Sequence, residues 1–235
     1  MLLTCELTKS FGARRVLNGL DFAAEGGAVT LLVGANGAGK TTTLRILAGL
    51  ADADGGAVTI AGHDLRRARR EALAHLSFLP QAPRFHPRLS VRQVADFYAR
   101  LRGRERAAVV AALDDWGLAS FGDVPTAKLS GGLRQRLALA VFALAAAPVL
   151  LLDEPGLSLD PEWRQRLQIF LTGEARRGRT VLVATHLLGE WEGQADRCVL
   201  LERGRSGGEL PPDRLREAFP GLEERGLNHA GFRFA

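Results

Sequence analysis

Short apolar runs alternate with longer stretches of helical periodicity along most of this chain. Continuous apolar runs are typical of strands buried on both faces of a parallel sheet, and they cover residues 29–33, 76–79, 149–152, 180–185 and 198–202. Residues 2–7 and 16–22 have the shorter strand pattern of an antiparallel pair. The pattern therefore predicts an α/β core with a small antiparallel sheet near the N-terminus.

Between residues 84 and 146 the apolar spacing becomes helical. Ser90 is a suitable N-cap, apolar residues then recur at helical intervals, and a last helix begins after Ser130 and ends before Pro148. We predict a core of residues 1–83 and 147–220 with an inserted α-helical subdomain of residues 84–146. The core should end in a short helix near residues 213–219, followed by a tail of residues 221–235.

Composition narrows the classes of protein that this chain can belong to. The chain has 235 residues, 46% of them hydrophobic, and a formal net charge of +5. Its basic residues are spread out, so we expect no specific nucleic-acid partner. We see neither a signal peptide nor an apolar segment long enough to span a membrane, and expect a cytoplasmic protein. Cys5 and Cys198 lie in apolar segments and are expected to be reduced core thiols.

One segment matches the phosphate-loop pattern G-x-x-x-x-G-K-[ST] in full; it consists of Gly34, Ala35, Asn36, Gly37, Ala38, Gly39, Lys40 and Thr41. An apolar strand precedes it, and a helix that includes Thr42 follows. Such a loop turns successive N–H groups towards phosphates at a helix N-terminus. Lys40 can then reach the β- and γ-phosphates, and the Thr41 hydroxyl can ligate Mg²⁺.

Further candidate residues lie at the ends of other predicted strands. Asp153 and Glu154 follow the run at residues 149–152, and a phosphate loop combined with such a carboxylate indicates a Mg²⁺-nucleotide hydrolase. His186 follows the run at residues 180–185. Phe11, with Val16 beside it, could stack on an adenine ring; from the local pattern alone, a half-buried turn aromatic is the commoner interpretation.

The segment Leu129-Ser130-Gly131-Gly132 resembles the signature motif of the ATP-binding cassette family. The resemblance extends over nearly the whole chain and follows the family's order of motifs. Phe11 resembles the adenine-stacking aromatic, Gly34 to Thr41 the Walker A loop, Gln81 the Q-loop glutamine, residues 149–154 Walker B, Asp160 the D-loop aspartate and His186 the switch histidine. It implies a P-loop NTPase (RecA-like) core with an antiparallel β subdomain and an inserted helical subdomain.

The resemblance also implies roles in a head-to-tail pair of cassettes that hold two ATP molecules between them. Lys40 would hold the phosphates with the loop amides, while Thr41, Gln81 and Asp153 would hold Mg²⁺, Asp153 directly or through water. Glu154 would activate the attacking water, and His186 would touch the γ-phosphate. The signature residues Leu129 to Gly132 would close the site of the partner cassette.

Two positions depart from the family pattern: Leu133 replaces the usual glutamine and Gly156 a frequent threonine. We expect neither to abolish hydrolysis. The leading hypothesis is the ATPase subunit of a membrane transporter, with export favoured, at the cytoplasmic face of the cell membrane. A polytopic permease subunit would dock near the Gln81 loop, around residues 83–90. The alternatives are an importer ATPase, a soluble cassette protein acting on nucleic acid or the ribosome, and a regulator that closes on ATP without turnover.

Overall fold

The computed structural model describes residues 1–186 and 188–210, and within them it contains two β-sheets and six α-helices. The predicted helix near residues 213–219, the tail of residues 221–235 and the end of the predicted core lie outside the described residues. The proposed division of the chain at residues 84 and 146 stays a prediction. No helix in the described part of the chain combines the length and the apolarity needed to cross a membrane.

The larger sheet has six strands in the order β10-β9-β3-β8-β7-β6. Five of its strands run parallel, and β10 pairs antiparallel with β9 at one edge. Every residue of β3, β7 and β8 is buried, as the continuous apolar runs predict. The strands are β3 (Val29–Val33), β6 (Leu76–Leu79), β7 (Val149–Asp153), β8 (Thr180–Ala184), β9 (Arg197–Glu202) and β10 (Arg205–Leu210).

The smaller sheet is antiparallel, with the order β2-β1-β4-β5. Its strands are β1 (Leu2–Phe11), β2 (Arg14–Ala24), β4 (Gly55–Ile60) and β5 (His63–Asp64). The β1–β2 hairpin is longer than the predicted runs because irregular pairing, near Glu6 for example, interrupts the alternation of apolar and polar positions. The two-residue turn at Gly12 leaves Phe11 and Arg14 directly opposite each other.

In the described part of the chain, six α-helices connect or flank the strands: α1 (Lys40–Leu47), α2 (Arg69–Ala74), α3 (Val91–Leu101), α4 (Arg106–Asp115), α5 (Gly131–Leu144) and α6 (Pro161–Arg176). Ser90 caps α3, as the sequence predicts, and it forms a capping box with Gln93. Ser130 caps α5, and Asp160 caps α6, which has proline at its first position. Helices α3, α4 and α5 pack on one another and form the helical part of the chain between β6 and β7.

Besides the length of the hairpin, three other features differ from the sequence-based expectations. Strand β10 was not expected, since Gly207 and Gly208 give it no apolar strand pattern; it is held by pairing with β9. Cys5 is exposed, because it lies next to the irregularity in β1, whereas Cys198 is buried as predicted. Burial raises the pKa of the Cys198 thiol to about 12. Phe97 follows the helical apolar spacing of α3 but is 51% exposed.

The two faces of the six-stranded sheet bury different parts of the chain. Leu150 and Leu152 pack with the apolar residues of α3, α4 and α5, whereas Leu151 packs with α1 and the antiparallel sheet. This follows from the alternation of side chains along a strand, which sends successive residues to opposite faces. The strand β7 that ends at Asp153 is therefore held from both sides.

Leu151→Ala should lower the free energy of unfolding by about 2–5 kcal/mol, because the side chain is fully buried and its loss leaves a cavity. Urea denaturation followed by circular dichroism measures the change. Ile169→Ala, at a side chain that is 63% exposed, is the matched control and should change stability by less than about 0.5 kcal/mol. Equal effects of the two variants would contradict the assignment of Leu151 to the core.

Candidate functional site

A cavity of about 370 Å³ lies where the phosphate loop, the β1–β2 turn and the ends of two core strands meet. Ten of the predicted site residues line it: Phe11, Val16, Asn36, Gly37, Gly39, Lys40, Thr41, Thr42, Gln81 and Glu154. Residues distant in sequence thus meet around one opening. Phe11 is 56% exposed at its rim, so the ring is accessible to a ligand.

The phosphate loop connects β3 to α1 and has little room for side chains. A Cβ on Gly34 would collide with the carbonyl oxygen of Leu201, and Gly39 has φ +113°, in the region that favours glycine. Gly34, Ala35 and Ala38 belong to the loop but do not line the cavity. Gly39 occupies the N-cap of α1, so the unpaired N–H groups of the first helical turn lie at the cavity and suit an anion.

Lys40 is almost fully buried beneath the loop. Its Nζ donates hydrogen bonds to the carbonyl oxygens of Gly34 at 2.7 Å and Ala35 at 3.3 Å. Burial lowers the pKa of this amine, and the carboxylates of Glu154 and Asp153 oppose that shift. The loop therefore carries a positive group that is hydrogen-bonded to the loop backbone and close to two acids.

Asp153 is the last residue of β7 and is only 2% exposed. Its Oδ1 accepts a hydrogen bond from the Thr41 hydroxyl at 3.3 Å, which brings together two of the predicted Mg²⁺ ligands. The pKa of the Asp153 carboxyl is raised, because the effect of burial outweighs the opposing effect of the hydrogen bond from Thr41. Among the described residues, no group of three His, Cys, Asp or Glu side chains forms a metal site.

Glu154 and His186 form a contacting pair at the ends of neighbouring strands. Glu154 is 6% exposed, and its Oε1 lies 2.9 Å from His186 Nδ1. The backbone N–H of His186 donates to Glu154 Oε2 at 3.3 Å, and that of Glu154 donates to the carbonyl oxygen of Ala184 at 2.8 Å. Glu154 also has φ +48°, a strained conformation for a residue with a side chain and one that clusters at functional sites.

The signature residues Leu129, Ser130, Gly131 and Gly132 do not line this cavity. Ser130 and Gly131 are exposed at the start of α5, where the Ser130 hydroxyl accepts a hydrogen bond from the Leu133 N–H at 3.2 Å. Asp160 is also exposed and accepts from the Trp163 N–H at 3.1 Å. The structure thus leaves Ser130, Gly131 and Asp160 at the surface and outside the cavity of their own chain, whereas Leu129 is buried.

Sequence reasoning missed Arg14, which lines the cavity beside Phe11. It also missed two side chains that hold the segment after Glu154. Gln135 of α5 is buried and donates to the Pro155 carbonyl oxygen at 2.9 Å. Arg164 donates to the Leu159 carbonyl oxygen at 2.8 Å and forms an ion pair with Glu190. The sequence contains no signal for these contacts, because each joins elements that are far apart in the chain.

The arrangement has the groups needed to bind a nucleotide and hydrolyse its terminal phosphate. Donors at the helix start and the Lys40 amine suit a phosphate chain, and an aromatic ring is available at the rim for a base. A buried carboxylate with an imidazole beside it can accept the proton of an attacking water. The geometry is therefore that of a nucleotide hydrolase.

Comparisons with known proteins agree with this chemistry. Residues 17–156 match the protein-family model described as ABC transporter. The chain is 36% identical to a protein named Nod factor export ATP-binding protein I from Burkholderia orbicola, over 92% of this chain and 72% of that protein. It is 37% identical to daunorubicin resistance ATP-binding protein DrrA2 from Streptomyces coeruleorubidus, over 92% of this chain and 68% of that protein.

A solved structure described as the ATP-binding subunit of an ABC transporter superposes on the chain with a TM-score of 0.85. The two sequences are 26% identical, and the superposition covers 98% of this chain and 95% of the other. Within the described residues, the shared fold therefore extends beyond residues 17–156, the segment that matches the family model.

Proposed function

This chain belongs to the ABC transporter family, and on that premise we propose that it powers an exporter whose membrane-spanning part is a separate subunit. The chain is an ATP-binding subunit and an ATPase, with the P-loop NTPase fold predicted from the sequence. Export is favoured because two similar proteins are named for export and for drug resistance. The chain would act as a peripheral subunit at the cytoplasmic face of the cell membrane.

The active unit would be a dimer of cassettes. The phosphate-loop cavity lacks the signature residues of its own chain, while Ser130 and Gly131 are exposed at the start of a 14-residue helix. A helix N-terminus presents unpaired N–H groups and the positive end of the helix dipole to an anion. A second cassette, placed head to tail, would therefore complete each ATP site with its own signature.

Within each site, Glu154 would be the general base for the attacking water, and His186 would position Glu154 and contact the γ-phosphate. The observation that best supports this is the 2.9 Å contact of His186 with Glu154, which itself lines the cavity. Burial in a site closed by the partner cassette would strengthen these interactions, since they would be screened less by water.

Mg²⁺ fits the polar groups near the phosphate loop. Thr41, Gln81 and Asp153 supply oxygen ligands, which Mg²⁺ prefers, and the Thr41 hydroxyl already lies within hydrogen-bond distance of Asp153. One carboxylate suffices, because Mg²⁺ in such sites takes its other ligands from phosphate oxygens and water. When bound, the ion would neutralise charge on the phosphates.

The membrane subunit would dock in a groove between the loop after Gln81 and the helical part of the chain. This groove, of about 300 Å³, is lined by Pro83, Arg84, Phe85, Pro87, Thr126, Ala127 and Arg134. It combines apolar surface with two arginines, so a short amphipathic segment could fill it. Because the groove lies between β6 and α5, movements that accompany closure of the ATP sites would be transmitted to the docked subunit.

Charge reversal in this groove tests the docking. Arg84→Glu should release the chain from membranes in a fractionation experiment and abolish its copurification with a polytopic protein. Arg70→Glu, at an exposed arginine outside the groove, is the matched control and should stay with the membrane fraction. ATP affinity measured by calorimetry should be unchanged in both variants, which separates lost docking from lost folding.

An Arg84→Glu variant that stays with the membranes as wild type does would overturn the proposed docking groove. Salt-sensitive binding of DNA, RNA or ribosomes by the wild-type chain without any membrane partner would overturn the transporter proposal and favour a soluble cassette protein. ATP-dependent accumulation of cargo inside, rather than outside, the cell would indicate an importer.

A further inference from the structure

Arg14 lies in the nucleotide cavity between the aromatic ring at its rim and the phosphate loop. Across the β1–β2 hairpin it is the direct partner of Phe11, and such cross-strand partners place their side chains on the same face of the sheet. Both side chains line the cavity. The position of Arg14 is therefore set by the same short hairpin that presents Phe11.

The guanidinium of Arg14 reaches the phosphate loop itself. Its Nη2 lies 3.4 Å from the point where a Cβ on Gly37 would be placed, so it packs over the backbone at the centre of the loop. Gly37 has φ +80°, which a residue with a side chain adopts only with strain. The absence of a side chain at this position leaves the loop surface open to the arginine.

The charge of Arg14 has no carboxylate partner in the part of the chain that the structure describes. Lys40, the other cation at the cavity, is buried and bound to loop carbonyl oxygens. Arg14 instead is exposed and lines the cavity. Guanidinium groups bind phosphate oxygens through two parallel hydrogen bonds, a geometry that ammonium groups lack.

We propose that Arg14 is a second cationic ligand of the nucleotide and donates to the phosphate chain of ATP from the side opposite Lys40. The phosphate chain then lies between a buried ammonium within the loop and an exposed guanidinium. Because the arginine and Phe11 belong to one hairpin, the antiparallel sheet places the aromatic ring for the base and the cation for the phosphates side by side. This role concerns ATP binding by a single cassette and is independent of the transporter assignment.

Binding measurements with two ligands test the proposal. We would titrate ATP and inorganic triphosphate, which has the phosphates without the base, into wild-type protein, Arg14→Ala, Arg14→Lys and Phe11→Ala. Arg14→Ala should raise the Kd of both ligands by about tenfold, since a charge-assisted hydrogen bond is lost. Arg14→Lys should restore part of the affinity. Phe11→Ala should weaken ATP but leave triphosphate unchanged.

Arg15→Ala is the matched control, with the same loss of charge one residue away. The pKa of the Asp54 carboxyl is lowered, first by its hydrogen bond from Lys9 and to a smaller extent by the charge of Arg15. The charge of Arg15 therefore acts on Asp54. The Kd values of Arg15→Ala for ATP and triphosphate should change less than about twofold. The Arg14 defect should also shrink as salt is added, because the interaction is exposed to solvent.

Two outcomes would overturn the proposal. If Arg14→Ala binds triphosphate as wild type does, the guanidinium does not contact the phosphates, whatever happens to ATP. If Arg15→Ala weakens triphosphate as strongly as Arg14→Ala, the effect is one of general charge rather than of a specific contact. Unchanged melting temperatures of the free variants would ensure that neither result reflects unfolding.

Discussion

Replacing Glu154 by Gln should slow ATP turnover by about 10²–10⁴-fold, the range expected when a general base is lost. Glutamine preserves the size of the side chain and its contact with the His186 N–H, but its amide cannot accept a proton from water. Among the described residues, Glu154 is the buried carboxylate that contacts His186. Phosphate release under saturating ATP measures the effect.

ATP binding should persist in the Glu154→Gln variant, and an ATP-bound dimer should accumulate. Size-exclusion chromatography in ATP would detect it as a larger species that is absent in ADP. Glu162→Gln, an exposed glutamate in the first turn of α6, is the matched control and should hydrolyse ATP normally. Near-normal turnover by the Glu154→Gln variant would refute the assignment of Glu154 as the base.

Lys40→Ala should instead weaken ATP binding, by about 10–150-fold, if the lysine makes one charge-assisted hydrogen bond with the phosphates. The nearly buried amine is hydrogen-bonded to the loop backbone, and its removal takes away the cation of the loop. Arg45→Ala, at an exposed position in the last turn of the same helix, is the control and should bind ATP as wild type does. Undiminished ATP affinity in Lys40→Ala, measured by calorimetry, would show that the lysine has no such role.

The two variants separate binding from chemistry. Glu154→Gln should reduce kcat with little change in ATP affinity, whereas Lys40→Ala should reduce affinity before chemistry begins. In this comparison Arg14→Ala should resemble Lys40→Ala, because both cations are proposed to contact the phosphates. Together the variants would assign the cavity's cations to binding and its carboxylate to hydrolysis.

Much of the fold could be predicted from local pattern. Buried parallel strands such as β3 and β7 appear as continuous apolar runs, and α3, α5 and α6 begin at Ser90, Ser130 and Asp160, whose side chains accept from the backbone N–H three residues later. Strand β10 escaped prediction because its stability comes from pairing with β9 rather than from its own residues. Cys5 was misjudged because irregular pairing in β1 changes which side chains face inwards.

The sequence by itself determined the chemistry that is available: a glycine-rich loop ending in Lys40 and Thr41, and acids and a histidine that directly follow apolar strands. These signals are local, since each depends on residue types at a short spacing. The roles predicted for these residues stay predictions until the variants are measured.

Only the tertiary structure decided which of these groups meet. Parallel pairing of β7 with β8 brings Glu154 to His186, and the β1–β2 hairpin brings Arg14 over Gly37. It also leaves the signature residues outside the cavity of their own chain. Contacts of this kind depend on strand order and on how the two sheets pack, and residue spacing within one segment contains no information about either.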